Sequence, residues 1–245
     1  MGARSISDRR MALSKGAGAL ALALFCVLAI ALMQRSGWLD GLNVGLMRRA
    51  GAARDSGGGW IATIIMQSAS AVGGTIGRFC LLGFSVVVLW RSARGRALWL
   101  LLVVLGGTLL NLILKQIFAA PRPDLLPHLD MVNSYSFPSG HSAGNMIFFG
   151  AVSMLVGRRG FYVAAAMMIV LIGISRVWLG VHWPSDVAAG WIEGLGWIAF
   201  CAVWLPARGG EQQRPADAAM RGHTVAGDEA MDPETVIDGP GGGQQ

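Results

Sequence analysis

The chain is short of charged residues. Only 14% of its 245 residues are Asp, Glu, Lys or Arg, whereas 53% are hydrophobic, and the mean hydropathy is +0.52. An ordinary soluble domain carries about 25% charged residues, so this composition argues against one. Several apolar runs approach the roughly 20 residues that an α-helix needs to cross a bilayer. The composition therefore predicts a polytopic membrane protein.

Cysteine and clustered carboxylates are also scarce. The three cysteines, Cys26, Cys80 and Cys201, all lie inside apolar runs, which favours packed or lipid-facing thiols over a disulfide framework. No cluster of carboxylates is available to hold a pair of metal ions, so we expect neither a metal nor a cofactor. Basic and aromatic residues are not interleaved in the way that reads bases, and we expect no nucleic-acid partner.

Apolar periodicity predicts an all-α fold, a polytopic membrane helix bundle of about six transmembrane helices. The periodicity does not assign one structure to residues 34–73, because "WIATIIMQSASAVGG" is half polar. Three structures fit this region: an interfacial helix, a lengthening of the second span, or an additional span. The six spans are expected at 16–33, 74–90, 97–118, 142–156, 161–178 and 187–205.

Two flanking segments complete the expected organisation around a membrane domain at 16–205. Residues 1–15 are a basic N-terminus, and with the first apolar run they favour an uncleaved signal anchor, because no convincing cleavage site follows. From Arg208 to Gln245 the chain carries seven acids against three arginines and ends in "GPGGGQQ". This composition predicts that 206–245 is a disordered acidic tail.

Basic clusters set the expected orientation of the bundle. The N-terminus, "RSARGR" at 91–96 and "GRRG" at 157–160 all fall on one side, which the positive-inside rule makes cytoplasmic, together with the tail. The stretch "GLNVGLMRRA" is able to lie as an amphipathic helix in the interface. The arginines that oppose the assignment are Arg35, Arg48, Arg49 and Arg54.

Polar residues gather in the two loops expected on the outer side. They form three clusters: "KQIFAAPRP" at 115–123, "PSGH" at 138–141 and "SRVWLGVHWPSD" at 175–186. Taken singly, each of the three cations of these clusters is better explained as an anchor that reaches for the membrane interface. The chain has only two lysines, however, and a lysine at a helix end hints that a compact ammonium is needed there. The cations are Lys115, Arg122 and Arg176.

The "PSGH" cluster suits a helix start and also an anion site. Ser139 suits an N-cap and Gly140 permits tight backbone geometry. Backbone N–H groups at a helix N-terminus lack partners within the helix, so those of Ser139, Gly140 and His141 are able to cradle an anion.

The third cluster brings a histidine close to a carboxylate. Pro184 suits the first turn of a helix, which would place His182 just before that helix and Asp186 in its first turn. Taken alone, His182 is a solvated or capping residue and Asp186 a favourable first-turn acid. Paired, the carboxylate fixes the imidazole tautomer and stabilises the imidazolium, which makes a positioned nucleophile.

The three clusters together predict phosphoryl transfer. His182, oriented by Asp186, would attack phosphorus, and His141, which has no local carboxylate, would protonate the leaving oxygen. The cations Lys115, Arg122 and Arg176 would neutralise the phosphoryl oxygens.

The clusters resemble the three signature motifs of the type-2 phosphatidic acid phosphatase superfamily, which are Lys-x6-Arg-Pro, Pro-Ser-Gly-His and Ser-Arg-x5-His-x3-Asp. All eleven specified positions match, within residues 115–186. The resemblance implies a six-helix membrane bundle with a phosphate pocket at the outer leaflet and a phosphohistidine intermediate at His182. It also implies that phosphate binding or leaving-group departure depends on Lys115, Arg122, Ser139, Gly140, His141 and Arg176.

The expected function is therefore a metal-independent lipid phosphatase in the bacterial inner membrane, with its site facing the periplasm. The expected substrate is polyprenyl diphosphate or a phosphatidate-type lipid, and the expected partners are membrane lipids. A lipid phosphotransferase is an alternative, because an alcohol as well as water discharges a phosphohistidine. The vanadium-dependent haloperoxidases resemble this family but are soluble. A scaffold without activity would not need an intact nucleophile, acid and set of cations.

Overall fold

A computed structural model describes residues 6–206 of the chain. The first five residues, and the tail predicted to be disordered from Ala207 onward, lie outside the described residues. Between Ile6 and Pro206 the regular structure is helical, which confirms the predicted all-α fold. The α-helices are α1 (Ile6–Arg35), α2 (Asp40–Arg54), α3 (Gly59–Gly73), α4 (Thr75–Trp90), α5 (Arg94–Phe118), α6 (Gly140–Val156), α7 (Arg159–Trp178) and α8 (Pro184–Cys201), followed by a short 3-10 helix at Ala202–Trp204.

Each predicted span coincides with one of the helices α1 and α4 to α8. The pair α3 and α4, bent by 53°, is able to form one broken span or a re-entrant loop. Helix α6 has 17 residues and is shorter than the roughly 20 that cross a bilayer without distortion, so the number six is approximate. In the described part of the chain, four helical segments are by themselves long and apolar enough to cross a membrane: Arg10–Arg35, Arg94–Phe118, Arg159–Trp178 and Pro184–Trp204.

Helix α6 packs against α5, α7 and α8, and α1 packs along α8. Small residues permit the close contact between α6 and α8. A Cβ atom at Gly194 would lie 2.7 Å from Met146 Cβ, and one at Gly190 would lie 2.9 Å from Ser142 Cβ. Between membrane helices, such close van der Waals packing takes over much of the role that the hydrophobic effect has in water.

The open region 34–73 forms the two helices α2 and α3. Helix α2 buries one face through Asn43, Met47 and Gly51, which are four residues apart. Helix α3 packs against α7 and buries Ser70 among its polar residues. The break between α3 and α4 is at Gly74, whose backbone is extended. The half-polar stretch is therefore a separate helix, bent away from the second predicted span.

Candidate active site

The two loops that carry the motifs meet at one end of the bundle. Residues 119–139 connect α5 to α6, and residues 179–183 connect α7 to α8. The Leu129 N–H donates to Leu179 O at 3.0 Å, and the Ser139 N–H donates to Asp186 O at 3.0 Å. Arg54 at the end of α2 donates to Pro127 O and to Trp178 O, at 3.3 and 3.2 Å. These bonds fix the starts of α6 and α8 beside each other.

His182 and Asp186 form the predicted pair. Nδ1 of His182 lies 3.3 Å from Oδ2 of Asp186, and the side chains are 2% and 0% exposed. Pro184 is the first residue of α8, and Asp186 lies in the first turn of this helix. His182 lies two residues before the helix, which brings its ring next to the carboxylate. A carboxylate oxygen accepts hydrogen bonds, so this contact favours the tautomer with the proton on Nδ1. Nε2 then keeps its lone pair.

Asp186 is held by three further donors. Oδ2 accepts from the Ser136 hydroxyl at 2.5 Å and from the Trp183 N–H at 2.9 Å, and Oδ1 accepts from Gln34 Nε2 at 3.0 Å. These contacts satisfy a fully buried carboxylate and restrict its rotation, which orients the imidazole in turn. Ser136 and Gln34 lie outside the three motifs, so no local sequence pattern indicates their contact with Asp186.

Arg122 lies beside the other nitrogen of the same ring. Its Nη1 is 3.3 Å from Nε2 of His182 and donates to Val181 O at 2.7 Å. Its Nε donates to Ser134 O at 2.8 Å, which ties the guanidinium to the α5–α6 loop. An anion bound by Arg122 would therefore lie within reach of Nε2.

Arg176 is fully buried and paired with an acid that the sequence analysis did not identify. Its Nη1 donates to Asp130 Oδ2 at 2.5 Å and to the Ser70 hydroxyl. Its Nε and Nη2 are buried without a hydrogen-bond partner. Donors left free in a cavity are the groups that phosphoryl oxygens would satisfy.

Lys115 and the start of α6 complete the surroundings. Nζ of Lys115 donates to Tyr135 O at 2.5 Å, and the ammonium is held beneath the loop. Ser139 is the N-cap of α6, and its hydroxyl accepts from the Ser142 N–H at 3.5 Å, as its position in "PSGH" predicted. His141 follows in the first turn of the helix.

These residues surround a cavity of about 320 Å³. Ser139 and Asp186 are buried behind its wall, with no exposed surface. Arg78, on α4, is a lining residue that the motifs did not indicate. The predicted site residues that line the cavity are Lys115, Arg122, Gly140, His141, Arg176 and His182.

Burial governs the protonation of the loop residues. It lowers the pKa of His182 to about 4, although Asp186 opposes the shift, so the imidazole is neutral at physiological pH. Burial also lowers the pKa of Arg122 to about 10, which leaves the guanidinium charged. Burial raises the pKa of Asp130, but the hydrogen bond and charge of Arg176 outweigh it and the net shift is downward. The cavity thus holds a neutral imidazole among charged guanidinium groups.

Within residues 6–206, no group of three or more His, Cys, Asp or Glu side chains is arranged to hold a metal ion. Three acids of this part of the chain lie near the cavity: Asp130 pairs with Arg176, Asp186 pairs with His182, and the buried Glu193 accepts from Nδ2 of Asn111 at 2.8 Å. The charge that faces an incoming ligand comes from guanidinium and ammonium groups.

The chain is similar in sequence to known proteins. Residues 96–209 match the family model described as the PAP2 superfamily. The chain is similar to phosphatidylglycerophosphatase B of Bacillus subtilis, with 37% identity over 107 residues, which is 39% of this chain and 52% of the relative. It is also similar to the undecaprenyl-diphosphatase of Sulfolobus acidocaldarius, with 29% identity over 136 residues, covering 51% and 62% of the two chains.

A third relative is the lipid A 1-phosphatase of Rhizobium etli, 37% identical over 117 residues, covering 44% of this chain and 49% of the relative. The matches thus span about half to three fifths of these relatives' lengths.

Two solved structures share the fold. The transmembrane PAP2-type phosphatidylglycerolphosphate phosphatase of Bacillus subtilis aligns with a TM-score of 0.65 and 27% identity, over 75% of this chain and 93% of that one. Aquifex aeolicus LpxE aligns with a TM-score of 0.55 and 26% identity, over 66% and 94% of the two chains. The resemblance predicted from the three motifs is confirmed.

Proposed function

We propose that this PAP2-superfamily membrane protein is a phosphatase of lipid phosphates or diphosphates that acts through a phosphohistidine at His182. The observation that carries the proposal is the buried His182–Asp186 pair, in which Nε2 of His182 lies 3.3 Å from Nη1 of Arg122 in a cation-lined cavity. This arrangement supports roles for His182 as the nucleophile, Asp186 as the orienting carboxylate and Arg122 as an anion-binding group.

In the first step, Nε2 of His182 attacks phosphorus. An N–P bond forms, the bond from phosphorus to the leaving oxygen breaks, and that oxygen takes both electrons and a proton from His141. Asp186 stabilises the positive charge that develops on the attacking ring. In the second step, a water molecule loses a proton to His141 and attacks the phosphohistidine, which releases inorganic phosphate and restores Nε2.

The cations supply the electrostatic part of catalysis. Arg122 and Arg176 present planar donors to the equatorial oxygens, and Lys115 adds a point charge. Backbone N–H groups at the start of α6 add a partial positive charge. Unaided hydrolysis of phosphate monoesters is so slow that accelerations up to about 10²¹-fold are needed, a demand that favours several converging charges.

A lipid substrate is favoured by the position of the cavity. Its cationic residues lie at the ends of apolar helices and in the short loops between them, where a membrane-borne phosphate arrives by lateral diffusion. The loop 119–139 supplies a cover for the cavity but is too short to form a separate domain that captures soluble substrates. The three curated relatives are named for three different lipid phosphates, so they favour the class without selecting its headgroup.

Metal removal should leave the activity unchanged. The protein purified in detergent and treated with excess EDTA is expected to release phosphate from a lipid phosphate at the untreated rate, because cationic side chains replace the metal ions. Vanadate, which mimics the transferred phosphoryl group, should inhibit it. A loss of activity in EDTA that returns on addition of a divalent cation would contradict the mechanism.

We further propose that the cavity faces the periplasm across a bacterial inner membrane. The positive-inside rule supports this orientation, because Arg91, Arg94 and Arg96 at the α4–α5 junction and the pair Arg158 and Arg159 at the α6–α7 junction lie at helix ends remote from the motif loops.

Thiol labelling in intact cells tests the orientation. Met131, in the loop over the cavity, is 91% exposed, and Ser92 is exposed at the α4–α5 junction. In a variant without its native cysteines, Met131→Cys should react with a membrane-impermeant maleimide in intact cells, whereas Ser92→Cys should react only after permeabilisation. The opposite pattern would invert the orientation.

A further inference from the structure

Arg78 is a buried cation that lies outside all three motifs. Arg78 lies in the first turn of α4 and is 5% exposed. It lines the same cavity as His141 and His182. A cation at a helix N-terminus is opposed by the helix dipole, and burying it costs additional free energy unless it is paired. Its position therefore requires a compensating group.

Within residues 6–206, the compensation for this charge consists of a cation–π contact, with Cζ of Arg78 5.8 Å from the centroid of the Phe79 ring, and of two weak hydrogen bonds. Nη1 of Arg78 donates to Gly73 O at 3.4 Å and to Gly140 O at 3.5 Å, which are long hydrogen bonds, and Nε is buried without a partner. Two carboxylates near the cavity form ion pairs, Asp130 with Arg176 and Asp186 with His182, and neither engages Arg78. Neither of these carboxylates therefore neutralises the buried guanidinium of Arg78.

Space for this guanidinium is provided by the absence of a side chain on α6. A Cβ atom at Gly144 would come within 2.9 Å of Nε of Arg78 and closer still to Cζ and Nη1. Gly144 lies one turn after Gly140, so the guanidinium lies along the first turn of α6.

Arg78 lies on the side of the cavity that holds His141. Its Nη1 contacts the carbonyl of Gly140, the residue before His141, and a Cβ atom at Gly74 would lie 3.5 Å from Nε2 of His141. Arg122, in contrast, contacts His182. In an in-line displacement the nucleophile and the leaving group are on opposite sides of phosphorus, so the Arg78 side is that of the leaving group.

We infer that Arg78 binds the leaving phosphate of a lipid diphosphate and makes this protein selective for diphosphates over monoesters. The inference rests on the proposed function. His182 attacks the terminal phosphorus, and the bridging P–O bond breaks. The bridging oxygen, which takes both electrons and the proton from His141, leaves as a terminal oxygen of the lipid monophosphate. The negative charge on that leaving phosphate meets Arg78, whereas a monoester with an uncharged alcohol as leaving group makes no such contact.

Replacement of Arg78 tests the selectivity. We expect Arg78→Gln to lower kcat/KM for polyprenyl diphosphate about 10- to 100-fold, the range for a lost hydrogen bond to a charged group, and to change kcat/KM for phosphatidate less than about 3-fold. Arg78→Lys, which keeps the charge but not the planar fork, should fall between wild type and Arg78→Gln on the diphosphate. Arg91→Gln, an exposed arginine at the other end of α4, is the matched control and should equal wild type on both substrates.

Inorganic probes give a second readout that does not depend on lipid chains. Inhibition by inorganic diphosphate should weaken about 10-fold or more in Arg78→Gln, while inhibition by inorganic phosphate should hold within about 3-fold. Gly144→Ala, which displaces the guanidinium without removing it, should reduce diphosphate selectivity in the same direction.

The possible outcomes separate the inference from the proposed function. If wild type hydrolyses neither lipid, the proposed function fails. If wild type is active and Arg78→Gln lowers kcat/KM equally for both lipids, or for neither, Arg78 has only a structural role and the inference is overturned. If Arg78→Gln does not fold, Arg78→Lys decides the matter, because unchanged selectivity in that folded variant would also overturn the inference.

Discussion

Replacing His182 with alanine should lower kcat on any lipid phosphate by at least about 10⁴-fold, the scale on which loss of a catalytic nucleophile acts. Nε2 of this ring is the atom expected to form the bond to phosphorus, and it lies 3.3 Å from Nη1 of Arg122 in the cavity wall. The effect should lie in kcat, because Arg122, Arg176 and Lys115 remain to bind the phosphate. Turnover is measured as phosphate release by purified protein.

A matched control is available in the same region. His128 is exposed in the α5–α6 loop, where Nε2 lies 2.7 Å from Pro123 O, and it does not line the cavity. His128→Ala should therefore retain activity within about 3-fold.

Substrate labelled with ³²P at the transferred phosphorus should label wild type with acid-labile, base-stable phosphate, and His182→Ala should remain unlabelled. Wild-type turnover in a folded His182→Ala protein would remove the nucleophile from our mechanism.

Replacing Asp186 with asparagine should lower kcat on the order of 10³-fold while KM changes only a few-fold. The amide keeps the shape of the carboxylate but loses the negative charge, which stabilises the ring as it becomes positive and selects the tautomer with the proton on Nδ1. The anion-binding residues are untouched, so substrate affinity should persist. The measurement is kcat and KM in the same detergent as wild type.

Because Asp186 is fully buried, stability must be followed as well. Asp124 is an exposed acid in the α5–α6 loop, and Asp124→Asn is the control for the same chemical change. This variant should keep the wild-type kcat, KM and thermal transition. Gln34→Ala removes one donor to Oδ1 and leaves the charge, so its effect should be much smaller than that of Asp186→Asn. An Asp186→Asn protein with an unchanged thermal transition and wild-type kcat would show that the carboxylate does not assist the histidine.

The helices and the motif residues could be predicted from sequence because their signals are local. Apolar runs mark spans wherever they occur, and the spacing of His182 and Asp186 follows from one helix start at Pro184. The three motifs could also be placed together, since alternating spans bring the two loops to one side of the membrane. For these features the sequence pattern and the observed structure agree.

The partners of these residues depend on long-range contacts and carry no local signal. Gln34 reaches Asp186 across 152 positions, and Ser70 reaches Arg176 across 106. The half-polar character of "WIATIIMQSASAVGG" left its role open, and Ser70 shows one reason for it: a polar residue there supports a cation of the site. Arg54, which opposed the predicted orientation, donates to two loop carbonyls. A basic residue that the positive-inside rule does not explain can therefore be explained by its contacts in the folded protein.

The role of Arg78 could not be predicted from local sequence either. In "GRFC" it is one basic residue near the start of an apolar run, which a sequence pattern attributes to an interface anchor. Its burial against Gly144 and its place beside "PSGH" arise only when α4 packs on α6. The sequence motifs indicated three cations that line the cavity, and the structure added Arg78 as a fourth.

The most direct test of a lipid phosphatase is a comparison of substrates in one assay. Purified protein in a single detergent should be given polyprenyl diphosphate, phosphatidate and a soluble aryl phosphate, with the lipids then diluted within mixed micelles at constant bulk concentration. We predict that kcat/KM is higher for at least one lipid than for the aryl phosphate, and that lipid turnover falls as its surface concentration falls. A higher kcat/KM for the soluble ester, with lipid turnover indifferent to surface dilution, would contradict a site built for substrates that arrive through the membrane.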